Sequence, residues 1–174
     1  MPSRRTVLTG TAAVAALGAA GGAWWLSSDE TAPRVFPVSL TEAEWRARLS
    51  PGAFAVLRQE DTEAPYSSPL DDFWEAGTYD CAGCANPVYG SDTKFDSGTG
   101  WPSFWAPLAE DAVGTKTDYK LVLPRTEVHC ARCGGHLGHI FTDGPDPTGK
   151  RHCLNGLALA FRPEGEPAAP LALS

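Results

Sequence analysis

Positive charge is scarce in this sequence once its first residues are passed. The 174-residue chain holds 14 Lys and Arg against 21 Asp and Glu, a formal net charge of −7. Arg4 and Arg5 are the only charged residues of 1–26, so the rest carries 12 basic and 21 acidic side chains, about −9. Such a surface excludes nucleic acid as a partner, because that binding rests on neutralising phosphates with Lys and Arg. It argues equally against a general affinity for anionic lipid, and it serves solubility. No segment repeats apart from two Cys-x-x-Cys units. The Gly98-Thr99-Gly100 stretch is too short for a phosphate cradle and ends in no lysine.

The first 26 residues read as an address. SRRTVL at 3–8 is a twin-arginine opening, and an almost uncharged run of small residues follows. A basic n-region with an apolar h-region makes an export signal and places the protein in the periplasm or at the cell exterior. About 20 apolar residues could also span a bilayer, with Trp24 and Trp25 at its interface, so a retained membrane anchor is the alternative to cleavage. Residues 27–37 form a polar, proline-bearing linker, 38–163 the working domain and 164–174 a disordered tail. That length suits one domain with a proper core.

The domain opens with helices. Thr41 precedes Glu44 at capping-box spacing, with Leu40, Trp45 and Leu49 on one face, and Pro51 starts a second helix over PGAFAVLRQE. Residues 61–77 read as a long loop wrapping the core. From Gly77 the texture changes to short apolar runs between Gly, Pro and Asp. TYDC, NPVY, YKLVLP, TEVHC, HIFT, RHCLN and LALAF each suit a brief strand, which predicts a mainly β, antiparallel domain.

Five cysteines divide into four and one. Cys81, Cys84, Cys130 and Cys133 form two Cys-x-x-Cys knuckles with 45 residues between them. Such turns present paired thiolates to one ion, and two of them complete a tetrahedron, so one closed, structural Zn2+ is expected. The alternatives are two disulfides, natural in an exported chain, or a redox role for either unit. A twin-arginine protein crosses already folded, so zinc could be loaded before export.

Cys153, in RHCLNG, has no cysteine near it. It is either a buried small hydrophobe or a reactive thiol. His136, His139 and His152 lie near it in sequence or in space, and histidines with Arg151 could supply the cationic surroundings of a thiolate. His136 and His139 would face opposite ways on a regular strand, so Gly138 is expected to mark a bend. Between the knuckles, Phe104 reads as core. Trp101, pinned by Gly100 and Pro102, suits a pocket wall that would welcome a methyl thioether. Asn155 could hold a polar substrate or orient a histidine.

Together KFDSGTGWPSF, the two knuckles, TEVHCARCGGHLGHIFTDGPDPTGKRHCLN and LSPGAFAVLRQEDTEAP resemble the B-type methionine sulfoxide reductases over residues 38–162. The resemblance implies a zinc-stabilised fold of two antiparallel sheets with short N-terminal helices. It also implies reduction of methionine-R-sulfoxide in proteins or peptides. Cys153 then takes the place of the nucleophile, its thiolate attacking the sulfoxide sulfur and ending as a sulfenic acid. His136, His139 and Asn155 match the catalytic positions beside it, and Trp101, Phe141, Asp143 and Arg151 match the substrate pocket. His152 stands where Tyr is common, Gly156 where Ser is usual, and Thr99 where many members carry a second, resolving cysteine. Recycling would therefore fall to an outside reductant, a thioredoxin-like protein or a small thiol. The same architecture also serves as a binding module, which would have no use for a free thiol among histidines.

Overall fold

A computed structural model describes residues 35–121 and 123–168, so the twin-arginine segment and residues 169–174 lie outside the described residues. Two helices lead. α1 (Glu42–Arg48) starts at the expected capping box, and α2 (Pro51–Gln59) starts on the Ser50 side chain with Pro51 at its first turn. Trp45 and the α2 face Ala53, Phe54, Val56 and Leu57 are buried, with Leu40 and Leu49 packed at the margin. α2 ends where Glu60 enters the left-handed region at φ 57°. No helix among the described residues is long and apolar enough to cross a membrane.

Nine short strands follow in two antiparallel sheets: β1 (Gly77–Cys81), β2 (Pro87–Gly90), β3 (Lys94–Phe95), β4 (Ser103–Phe104), β5 (Val113–Asp118), β6 (Arg125–Cys130), β7 (His136–Phe141), β8 (Arg151–Leu154) and β9 (Leu159–Pro163). The small sheet runs β2-β1-β9 and the large one β3-β4-β8-β7-β6-β5. Phe104 is fully buried against Tyr79 and Tyr89 at ring distances of 4.9 and 4.8 Å, so aromatic packing fills the space between the sheets.

One expected strand is displaced. YKLVLP is the connection between β5 and β6, and the strand is the less apolar VGTKTD before it. Tyr119, Leu121 and Leu123 are 77%, 59% and 75% exposed there. Apolar content misled because β5 is an edge strand whose middle faces solvent and asks little hydrophobicity of its residues. Phe36, assigned to the linker, lies against Gly134 and the His129 ring, and the Val38 amide donates to the Arg132 carbonyl at 2.9 Å.

The two knuckles close one cage. Cys81 ends β1 and Cys130 ends β6, and each chain then turns through a left-handed residue, Ala85 at φ 51° and Gly134 at φ 67°. All four sulfurs lie within 4.8 Å of one another, with 3.7 Å from Cys81 to Cys133 and 3.5 Å from Cys84 to Cys130. A tetrahedron with metal–sulfur bonds of about 2.3 Å has edges of about 3.8 Å, whereas a disulfide needs about 2.0 Å. The four thiols are free and could hold a metal ion. The Asn86 amide reaches Cys130 Sγ at 3.6 Å and the Ala112 carbonyl at 3.0 Å, steadying one of these sulfurs from outside.

His152 points into the core. Its neighbours in sequence, Arg151 and Cys153, take one face of β8 and it takes the other, with Nδ1 2.9 Å from the hydroxyl of fully buried Tyr89. Burial keeps the Tyr89 hydroxyl protonated, and it pairs with the imidazole. Burial, aided by Lys150, pushes the His152 pKa down to about 4. His152 is a neutral core residue and takes no part in the surroundings of Cys153.

Two outcomes follow from these contacts. Cys84→Ser opens the cage, and because metal binding is folding energy the variant is expected to lose metal affinity and solubility together. Elemental analysis and the melting temperature check this; a stable, metal-free native protein would contradict it. For His152, the unfolded chain takes up a proton near pH 6.5 that the fold refuses until about pH 4, so its contribution is lost as pH falls through that window. The loss amounts to about 3 kcal/mol at most. In His152→Asn, whose carboxamide can still pair with the Tyr89 hydroxyl, the melting temperature should fall less steeply between pH 7 and 4.5. Identical slopes would show that His152 is protonated in the fold.

Candidate active site

β8 carries Cys153 into the large sheet between His139 of β7 and Ser103 of β4, its direct cross-strand partners. The pairing continues outward, so Lys116, Glu127, His139, Cys153, Ser103 and Phe95 stand in one row. Directly opposed residues on antiparallel strands share a face. The row therefore sets an imidazole on one side of the sulfur and a hydroxyl on the other. Thr99 Oγ1 lies 4.0 Å from the sulfur, and Ser97 Oγ bridges Thr99 and Ser103 at 2.8 Å to each.

His136 and His139 reach one face through a bulge. β6 and β7 pair regularly as far as Val128 and Gly138, and then His129 faces His136 instead of Leu137. The extra residue, Leu137, turns fully into the core and leaves the two imidazoles together, ring centroids 5.3 Å apart. The bend thus sits at Leu137 rather than at Gly138. Gly138 serves another purpose: a Cβ there would lie 2.0 Å from the Cys153 carbonyl oxygen, so its bare backbone lets β8 close on β7.

Each histidine has a carboxylate that the sequence reading did not single out. His139 Nε2 is 2.8 Å from Asp118 Oδ2. Asp118 also accepts the Lys120 amide at 2.8 Å and the Arg125 guanidinium at 2.6 Å, and these hold it ionised far below the usual carboxylate range. An ionised carboxylate only accepts, so Nε2 carries the hydrogen of His139 and Nδ1 is left as a base. Burial lowers the His139 pKa despite Asp118, so the ring is neutral near pH 7. His136, 2% exposed, has Nδ1 3.2 Å from Glu127 Oε1 but off the line of a hydrogen bond, and its Nε2 has no protein partner among the described residues. Burial works against the Glu127 charge, yet His136 and Lys116, 3.0 Å away, bring its pKa below the ordinary value.

The surroundings of Cys153 differ from the expected cationic pocket. The thiol is partly exposed, and burial pushes its pKa up despite Arg151 and the Thr99 hydroxyl. Arg151 is buried but spends its charge on Asp143 in a two-pronged pair, 2.9 Å at each contact, and stacks 4.4 Å above the Phe141 ring. The neutral His139 offers the sulfur no charge. The resting group is a thiol.

Trp101 precedes Pro102, whose carbonyl accepts the Leu154 amide at 2.9 Å, so the indole is tied to β8. Its Nε1 donates to the Glu63 carbonyl at 3.1 Å. Gly100, at φ 86°, lets the Trp101 loop pass Tyr66, whose amide and hydroxyl donate to the carbonyls of Gly100 and Gly98 at 2.7 and 2.9 Å. Asn155 is buried and engaged at both ends of its carboxamide, giving a hydrogen to Leu137 O at 3.1 Å and accepting the Glu63 amide at 3.0 Å. A cleft of about 390 Å³ is lined by Phe95, Asp96, Thr99, Asp143 and Arg151 among others; it reaches Thr99 and Arg151, which flank Cys153, but neither the sulfur nor the histidines nor Trp101 line it.

Of the residues singled out in the sequence, Cys153, His136 and His139 share one face, with Arg151, Asp143, Phe141 and Thr99 around them. Glu127 carried a readable signal, a charged residue inside an otherwise buried strand. Asp118 carried none once the strand was placed beyond it.

Comparison with known proteins agrees with this geometry. A model of the SelR domain family matches residues 49–163. The chain is 46% identical over 136 residues to the peptide methionine sulfoxide reductase MsrB of Agrobacterium fabrum, covering 78% of this chain and 98% of that protein. It is 52% identical over 124 residues to the MsrB of Bradyrhizobium diazoefficiens, 71% of this chain and 89% of that protein. Against the MsrB of Methanosarcina barkeri it is 50% identical over 129 residues, 74% and 91% of the two chains. With a matching domain, a free thiol between histidine and hydroxyl, and a four-sulfur cage, the chain belongs to the MsrB family of peptide methionine sulfoxide reductases.

Proposed function

We propose that the protein reduces methionine-R-sulfoxide in oxidised proteins and peptides, with Cys153 as the nucleophile and an outside thiol as the reductant. The observation that carries this reading is the placement of the Cys153 sulfur beside His139 in the sheet, with a hydroxyl at Thr99 where a second thiol would have to stand.

The raised thiol pKa calls for a base beside the sulfur, since the thiolate is the nucleophile. The Cys153 sulfur, giving up its proton, attacks the sulfoxide sulfur; that proton goes to the sulfoxide oxygen, and the hydroxyl then passes to Cys153 as the S–O bond and the new S–S bond break. Thiol and sulfoxide become sulfenic acid and thioether with nothing added or lost. His139, with Nε2–H committed to Asp118, has Nδ1 to take the proton from sulfur and return it to oxygen. His136 lines the same face. Trp101 receives the methyl group, and the histidines then accept the oxygen of one epimer only. Asn155 acts by holding the chain after Cys153 to Glu63 and Leu137 rather than by touching substrate.

An outside thiol then attacks the sulfenic sulfur, expels water and leaves a mixed disulfide, which a second thiol reduces. Cys81, Cys84, Cys130 and Cys133 hold one Zn2+ in this reading and stay out of the redox cycle, since a closed four-sulfur shell offers no open position. The twin-arginine segment carries the folded, metal-loaded protein out of the cytoplasm, cleaved or kept as an anchor. A thioredoxin-like protein or small thiol on that side supplies the electrons.

Turnover of both sulfoxide epimers, free and in peptides, tests the proposal. Reduction of the R epimer alone is expected; comparable rates on both would contradict the Trp101 geometry. Cys153→Ser should abolish reduction with metal content unchanged. His139→Ala should slow the chemical step by about 10²–10⁴-fold. Near-normal turnover in the cysteine variant would move the chemistry elsewhere.

A further inference from the structure

The loop of residues 61–76 contains a buried carboxylate that the mechanism does not use. Glu63 is 8% exposed, and no cation among the described residues hydrogen-bonds to it. Its two oxygens instead accept backbone amides, Oε1 from Gly156 at 2.5 Å and Oε2 from Leu157 at 3.0 Å. Its own backbone is used as fully. The Glu63 amide donates to Asn155 Oδ1 at 3.0 Å, and the Glu63 carbonyl accepts the Trp101 indole N–H at 3.1 Å. One residue therefore makes four hydrogen bonds to the two segments that frame the reaction. One segment is the chain leaving Cys153; the other carries the aromatic wall.

Fastening the loop does not by itself require this arrangement. Tyr66 already holds the loop to Gly98 and Gly100, Lys94 Nζ donates to the Asp71 carbonyl at 2.7 Å, and the Tyr79 hydroxyl donates to the Phe73 carbonyl at 3.2 Å. A buried charge is also a costly fastener where an apolar side chain would do. What Glu63 adds is a fixed spacing: its backbone binds the indole while its carboxylate, one side chain away, binds the peptide units of Gly156 and Leu157. Gly156 fits the same purpose. A Cβ there would lie 1.9 Å from Ser68 Oγ and 3.3 Å from Glu63 Oε1, so a side chain would lift the loop off the strand end.

We infer that Glu63 is a positioning residue that sets the Trp101 wall against the Cys153 sulfur. This rests on the sulfoxide-reductase reading above. A group that sets spacing acts on the chemical step, because displacing a reacting pair by about 1 Å can cost about 10²-fold in rate. It leaves the intrinsic reactivity of the thiol alone, since the groups that bear on the thiol have other partners: Thr99 pairs with Ser97, Arg151 with Asp143 and His139 with Asp118.

The test uses the full, metal-loaded chain with Glu63→Ala and Glu63→Gln. Single-turnover reduction of a methionine-R-sulfoxide peptide at saturating substrate is measured per alkylatable thiol, beside the rate of Cys153 alkylation by iodoacetamide and the metal content. The expected result is a fall of about 10²-fold in Glu63→Ala, with alkylation within about twofold of the parent. Glu63→Gln should recover part of the loss, because its carbonyl oxygen still accepts one amide while its NH2 faces the other donor. Should the alanine variant fail to fold, the glutamine variant decides: a loss of fivefold or more supports the inference and a smaller one overturns it. A purely structural Glu63 would lower the melting temperature or yield and leave the rate per thiol unchanged. A parent protein that reduces neither epimer would overturn the functional reading itself, an outcome distinct from an active parent with indifferent Glu63 variants.

Discussion

The four-sulfur cage ties the two sheets together. β1 ends at Cys81 in the small sheet and β6 ends at Cys130 in the large one, and the sulfurs of both knuckles lie within 4.8 Å. Arg58 at the end of α2 donates to the Cys133 carbonyl at 3.0 Å, so the helical layer is pinned to the same point. The end of β6 is where the pairing with β7 slips by one residue, and that slip brings His136 beside His139. β8 takes its register from β7, and Cys153 from β8. A constraint at the cage is thus passed strand by strand to the sulfur, although no ligand of the cage belongs to the site.

Most of the charge around the site is met by partners other than the thiol, although Arg151 still favours the thiolate. Asp118 and Glu127 are buried carboxylates whose charges are met by Arg125 and Lys116 on the side away from the sulfur, at 2.6 and 3.0 Å. Each acts through a histidine. Arg151, the cation nearest Cys153 in the strand, is paired with Asp143. The result is a protonated sulfur beside a neutral imidazole of defined tautomer, an arrangement suited to moving one proton from sulfur to oxygen within a partly dry site.

Much of this was legible in the residues. Paired Cys-x-x-Cys units specify a cage by spacing alone, and Thr41 with Glu44 specifies a helix start, because both are local chemistry. The reading failed where tertiary context decides. The edge strand β5 is polar and the connection after it apolar, the reverse of the usual assignment. The bulge at Leu137 leaves no mark in HLGH, since only its partner strand shows which residue is extra. His152 could not be separated from the other histidines until β8 had a core face. Glu63 lies 90 residues before Cys153, in a stretch with no periodicity, and its role appears only once Trp101, Asn155 and Gly156 meet around it.

The central claim is that one thiol reacts while four others stay on their ion. It is tested most directly by giving the metal-loaded protein one equivalent of methionine-R-sulfoxide without reductant, then adding a sulfenic-acid trap and reading the product by mass spectrometry with metal analysis. The account predicts one equivalent of methionine, one trapped adduct on Cys153, and full metal content. A disulfide from Cys153 to a knuckle cysteine, with the metal released, would contradict it.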